Sequence, residues 1–125
     1  PAWPAAAPVL KVHTCDERWA GTDSDVYFYA DGQSGYELDI SRHDDRERDE
    51  WDSYTPSKYA TEEAKLVIKG GDMWCIDQLT YGAKTFTICN GKGAYLSTQS
   101  SDYRGESRPG GSTLTLDIAA GTACV

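Results

Sequence analysis

Near the start of the chain Leu10, Val12 and Thr14 alternate with Lys11, His13 and Cys15, the period-two pattern of a strand with one wet face. Two further runs rich in Val, Tyr and Ile, 26–30 and 36–40, flank Asp31-Gly32 and Ser34-Gly35, which signal a hairpin turn. Similar short runs recur at 53–56, 65–69, 74–81, 85–90, 94–98 and 113–118, separated by clusters of Gly, Asp and Ser. No segment sustains a helical period, and residues 61–64 offer at most one turn without an apolar stripe, so they read as a connector. The pattern predicts an all-β fold, an antiparallel β-sandwich of eight or nine short strands.

Residues 1–8 are rich in Pro and Ala and carry Trp3, which reads as an extended arm, and 9–125 read as one domain. Residues 97–112, rich in Ser and Gly with Arg104, Glu106 and Arg108, read as a long solvated loop. A chain of 125 residues that is 39% hydrophobic is sized for a single core. Its net charge of -8 repels phosphate backbones, which argues against direct nucleic-acid binding. No apolar stretch approaches the roughly twenty residues that cross a bilayer.

Four cysteines, none in a C-x-x-C pair, are expected to form two disulfides, which implies an oxidising compartment and a secreted protein. The chain begins at Pro1, which fits a removed leader. A hairpin turning at 81–84 places Cys75 opposite Cys89, which leaves Cys15 for Cys124, although four cysteines allow three pairings.

Candidate chemistry is concentrated in acidic loops. Residues 41–51 read SRHDDRERDEW, in which Asp44, Asp45, Glu47, Asp49 and Glu50 are interleaved with Arg42, Arg46 and Arg48, just after Asp39. Crowded carboxylates need a counter-charge, and two sources are at hand: the arginines themselves, or a calcium ion held by oxygens from several loops. No EF-hand pattern fits the run. A second acidic loop, Gly21-Thr22-Asp23-Ser24-Asp25, lies between the first two strands. His13 falls on the polar side of a strand and His43 in the acidic loop. With only these two histidines and no G-x-S-x-G elbow, the expectation is a non-catalytic protein.

The stretch AGTDSDVYFYADGQSGYELDI followed by DDRERDEWDSY resembles the PLAT (lipoxygenase-homology) domain family. Gly21, Thr22, Asp23, Val26, Tyr27, Leu38, Asp39, Asp45, Glu47, Arg48, Asp52 and Tyr54 fall in register with that family's pattern. Gly71-Asp72-Met73-Trp74, with Ile76 and Leu79, resembles its D-x-W motif, and Phe86-Thr87-Ile88-Cys89-Asn90 its F-x-C-N segment. The likeness runs from about Val9 to Asn90. Arg46 stands where the family usually has Phe, Asp49 where it has Gly, and Trp19 where calcium-binding members often have an acid.

The resemblance implies an eight-stranded antiparallel β-sandwich that docks on membrane lipid or a membrane-associated protein, in some members through calcium (Ca2+). Carried over by position, the implied ligands are the Gly21 carbonyl, Thr22, Asp23, Asp39, the Ile40 carbonyl, Asp44, Asp45, Asp72 and the Met73 carbonyl. Trp19, beside this set, would either dip into the lipid interface or cover the end of the sandwich. The competing expectation is an ion-independent sandwich that binds protein or carbohydrate, its acidic loops held by Arg42, Arg46 and Arg48, in a toxin-like or defence role.

Overall fold

The alternation at the start of the chain becomes strand β1 (Leu10–Thr14), and the predicted hairpin becomes β2 (Asp25–Ala30) and β3 (Tyr36–Glu37). They are followed by β4 (Trp51–Tyr54), β5 (Glu63–Lys69), β6 (Trp74–Tyr81), β7 (Lys84–Ile88), β8 (Ala94–Leu96), β9 (Thr113–Asp117) and β10 (Thr122–Cys124). The structure is a computed structural model and describes residues 8–16, 21–39, 45–57, 59–70, 73–89, 93–98 and 111–125. Among these residues there is no helix, and hence none long and apolar enough to cross a membrane.

The all-β expectation holds, while the count and pairing differ from an eight-stranded antiparallel sandwich. The order is β3-β2-β5-β9-β10-β7-β6-β1-β4, with β8 added beside β6. Every pair is antiparallel except β7 with β10, where Thr122 faces Thr87 and Ala123 faces Ile88. The reason lies in β7. Its first half, Lys84 to Phe86, pairs with β6, and its second half turns away to take β10. The two arms of the molecule are thereby joined into one curled sheet. Beside the other end of β6 the vacated place is filled by β8, with Cys75 opposite Tyr95.

The same strand exchange corrects the disulfide pairing. Cys89 leaves β6 with β7 and bonds Cys124, and Cys75 bonds Cys15 on the other side of β6. The two bridges fit an oxidising environment.

Inward residues of both arms, among them Leu10, Val12, Ile76 and Leu79 from one and Val26, Phe28, Leu66, Leu114 and Leu116 from the other, meet in a single core. Cys15, Met73, Cys75 and Tyr95 form a smaller cluster beside it. Trp74 is fully buried, and its indole Nε1 donates to Thr14 Oγ1 at 2.9 Å, which supplies the partner a buried indole needs. One element of the sequence pattern is overturned: the supposedly wet face of β1 is exposed only at Lys11, because His13 and Cys15 are covered.

Candidate functional site

At one pole the loop 21–24, the end of β3 and the segment 45–50 come together around one side chain. Arg46 is buried, and its Nη1 donates to the Leu38 carbonyl at 2.7 Å and to Tyr54 Oη at 3.0 Å. Its Nη2 donates to the Ser24 carbonyl at 3.3 Å. The phenol of Tyr54 in turn donates a hydrogen bond to Asp45 Oδ2 at 2.9 Å, and the guanidinium lies 3.5 Å from the same oxygen. Burial pushes the Tyr54 phenol pKa far up, against the pull of the Arg46 charge, and the hydrogen bond to Asp45 adds to the rise. Tyr54 is therefore protonated near neutral pH and donates to Asp45.

The backbone of Arg46 is tied as firmly as its side chain. It adopts φ 60°, a left-handed conformation uncommon outside glycine. Its N–H donates to Asp52 Oδ2 at 2.8 Å, and its carbonyl accepts from Thr22 N–H at 3.0 Å. Asp49, at φ 58°, is left-handed too, which accounts for a position where the resembled family places Gly. Gly21 is required for close approach: a Cβ there would stand 2.9 Å from the Arg46 carbonyl oxygen and 3.2 Å from the Arg48 amide nitrogen.

The predicted ligand set is distributed unevenly over this pole. Asp23 and Asp39 are exposed, and Thr22 is buried with its Oγ1 accepting from Ser24 N–H at 3.1 Å. Asp45 is buried against Tyr54 and Arg46. Met73 lies in the small disulfide cluster. Ile40, Asp44, Asp72 and Trp19 fall outside the described residues, as do Arg42 and His43. Among the described residues no group of three or more His, Cys, Asp or Glu side chains is arranged to hold a metal ion. The Ser24 and Leu38 carbonyls and Asp45 Oδ2, oxygens of a kind suited to a hard cation, face the Arg46 guanidinium.

A second constellation lies on the outer face of the β4–β1–β6 arm. His13 on β1 faces Trp51 on β4 and Gln78 on β6. Between His13 and Thr14 the register with β6 slips, leaving Asp77 as an extra residue on β6. This bulge brings Asp77 Oδ1 to 2.6 Å from His13 Nδ1. On the other side His13 Nε2 lies 3.0 Å from Asp49 Oδ1. Burial pulls the imidazole pKa down, but the hydrogen bonds and charges of Asp77 and Asp49 outweigh it, and the net shift is upward. With an acceptor at each nitrogen, the form that satisfies both is the imidazolium. The Trp51 indole leans on the imidazole with ring centroids 5.0 Å apart, and Trp51 remains 50% exposed.

The sequence placed Arg46 among the neutralising arginines without singling it out, and the available signal was its occupation of a position that is Phe in the resembled family. For His13 there was no local signal, since Asp77 lies 64 residues away and is aimed by a bulge. Neither a family model, nor a curated protein, nor a solved structure matches the chain.

Proposed function

We propose that this protein is a non-catalytic, secreted binding module of PLAT-like construction that engages a protein or carbohydrate partner without calcium. The observation that carries the reading is the Arg46 guanidinium, which sets a positive charge from within the chain beside the buried Asp45 carboxylate and the Leu38 and Ser24 carbonyls. A planar fork of donors suits two carbonyls, a phenol and a carboxylate at once, and once buried it leaves a divalent ion no electrostatic advantage. The two disulfides support an extracellular setting.

A calcium-bridged lipid-docking face is the second reading. In its favour, Asp23 and Asp39 are both exposed at this pole. Thermal melting in chelator and in millimolar calcium separates the two. The ion-independent reading expects the same melting temperature in both. A rise of several degrees with calcium would overturn it and return the docking role to Asp23, Asp39 and their neighbours. Co-sedimentation with anionic vesicles, which a chain of net charge -8 repels unless an ion bridges, provides the parallel check: no calcium-dependent pelleting is expected.

A further inference from the structure

The Trp51 face shares Asp49 with the segment 45–50 but none of the Arg46 contacts, and three observations give it a use. First, its aromatic is held in place before any ligand arrives. The indole rests on His13, and His13 is pinned between Asp77 and Asp49 from two different segments, so little side-chain freedom is left to lose on binding. Second, its surroundings are polar. The outward neighbours on the three strands are Lys11, Ser53 and Gln78, all exposed, and the half-buried Thr80. Asp49 and Asp77 each use Oδ1 on His13, and Oδ2 of each remains as an acceptor. Third, the apolar surface of the described residues is small. Among the described residues the exposed large hydrophobic side chains are Trp51, Tyr59 and Val125.

These observations select among occupants. A stable protein interface buries roughly 800 Å² on each side around an apolar centre, and an interfacial membrane contact needs a continuous apolar face. One indole ringed by polar groups supplies neither. Phosphate-rich ligands are repelled by the net charge of -8. A sugar ring has what the face requires: C–H groups on one side to lie on an indole, and a rim of hydroxyls to donate to carboxylates and meet an amide. Trp51 and Gln78 flank β1, two strand spacings or about 10 Å apart, so a ring on the indole has polar groups within reach along the sheet.

We infer that the outer face of the β4–β1–β6 arm is a saccharide-binding site. Trp51 is the stacking platform, Asp49 and Asp77 accept from ligand hydroxyls, Gln78 offers its amide, and His13 is the positioning residue that holds platform and carboxylates together. The inference rests on the reading of the chain as a binding module and names the partner class that module takes.

The test is retention by a panel of neutral polysaccharides (cellulose, chitin, xylan, β-1,3-glucan and mannan) in chelator and again in calcium, with anionic phospholipid vesicles as a separate arm. Oligosaccharides of any retained polymer are then titrated calorimetrically. Retention by at least one polymer in chelator is expected, with affinity weakened about tenfold or more by Trp51→Ala, partly restored in Trp51→Phe, and unchanged by Tyr59→Ala. Melting curves confirm that each variant is folded, and Trp51→Phe keeps the comparison valid should Trp51→Ala unfold. The saccharide assignment is overturned by retention on no polymer, by retention indifferent to Trp51→Ala and Trp51→Phe, or by Trp51-dependent pelleting with vesicles alone. Retention that depends on Trp51 but appears only with calcium leaves the site standing and overturns the ion-independent reading.

Discussion

The guanidinium of Arg46 donates to the carbonyl oxygen of Leu38 at 2.7 Å, joining the end of β3 to a segment eight residues further along the chain. The same group reaches the Ser24 carbonyl and Tyr54, so one side chain ties three segments together. It also sits in a left-handed backbone conformation, held as well by the bonds of its own N–H to Asp52 and its carbonyl to Thr22.

Removing that group is expected to be severe. Arg46→Ala removes the guanidinium that the Leu38 and Ser24 carbonyls, Tyr54 and the buried Asp45 carboxylate share, a loss of about 3–5 kcal/mol. Arg46→Lys keeps the charge but not the fork, and should recover only part. Denaturant unfolding of the three proteins gives the order wild type, Lys, Ala. If Ala were as stable as wild type, the guanidinium would not be what closes the pole.

Gly21 tests the same closure from the facing loop. A methyl group at this position meets the carbonyl of Arg46 and the amide of Arg48, both backbone atoms that cannot rotate aside. Gly21→Ala should cost about 1–3 kcal/mol, whereas Ala at Gly32, which has open space around it, meets only its own backbone preference at φ 76°. Unfolding midpoints of the two variants separate steric closure from backbone strain.

The strands were legible because period-two alternation is written locally: 26–30, 65–69, 74–81 and the turn at 81–84 all appear where the pattern placed them. What was not legible depends on where the chain goes next. Strand β10, only Thr122–Cys124, is too short to show a period. The pairing of Cys75 with Cys89 followed from a hairpin assumed to stay in register to its end, and failed because β7 changes partners at Phe86. Composition predicted that the acids needed a cation and named both candidates, but only the fold shows Arg46 turned inward while Arg48 stays outside, bonded to Asp16 at 3.0 Å. His13 and Asp77 likewise become neighbours only through pairing of β1 with β6 and a bulge that no local pattern announces.

The imidazole of His13 makes stability depend on pH near neutrality. Its folded pKa lies above the ordinary imidazole value, near 6.5. Its contribution is thus fully present below about pH 6.5 and is lost as pH rises through the folded value, where one of the two carboxylates loses its donor. The charged groups facing it are Asp77 from β6 and Asp49 from the segment before β4. His13→Gln is expected to cost about 2 kcal/mol at pH 6, less above pH 8, and to flatten the profile between them. Melting temperature measured across this range checks it: a His13→Gln profile parallel to wild type would place the titration elsewhere.

At the other end of β2, Asp31 controls a separate, acidic transition. This residue, left-handed at φ 47°, accepts at its carboxylate from the N–H groups of Thr61, Glu62 and Glu63 and from the Thr61 hydroxyl, and so fixes the connector that leads into β5. Donation from the Glu63 N–H above all, then from Thr61 and Glu62, holds its pKa down at about 2. A carboxylate lowered on folding contributes stability that is present above its unfolded value, near 3.9, and lost as pH falls through the folded one. Wild type should therefore lose stability between about pH 4 and pH 2 more steeply than Asp31→Asn, which keeps an acceptor oxygen but has no charge to titrate. At pH 7 the Asn variant should be the less stable, with the gap closing as the acid limb is descended. Chemical denaturation at pH 7, 4 and 2.5 reads this directly. A gap that stays constant with pH would mean that the Asp31 charge takes no part in holding the connector.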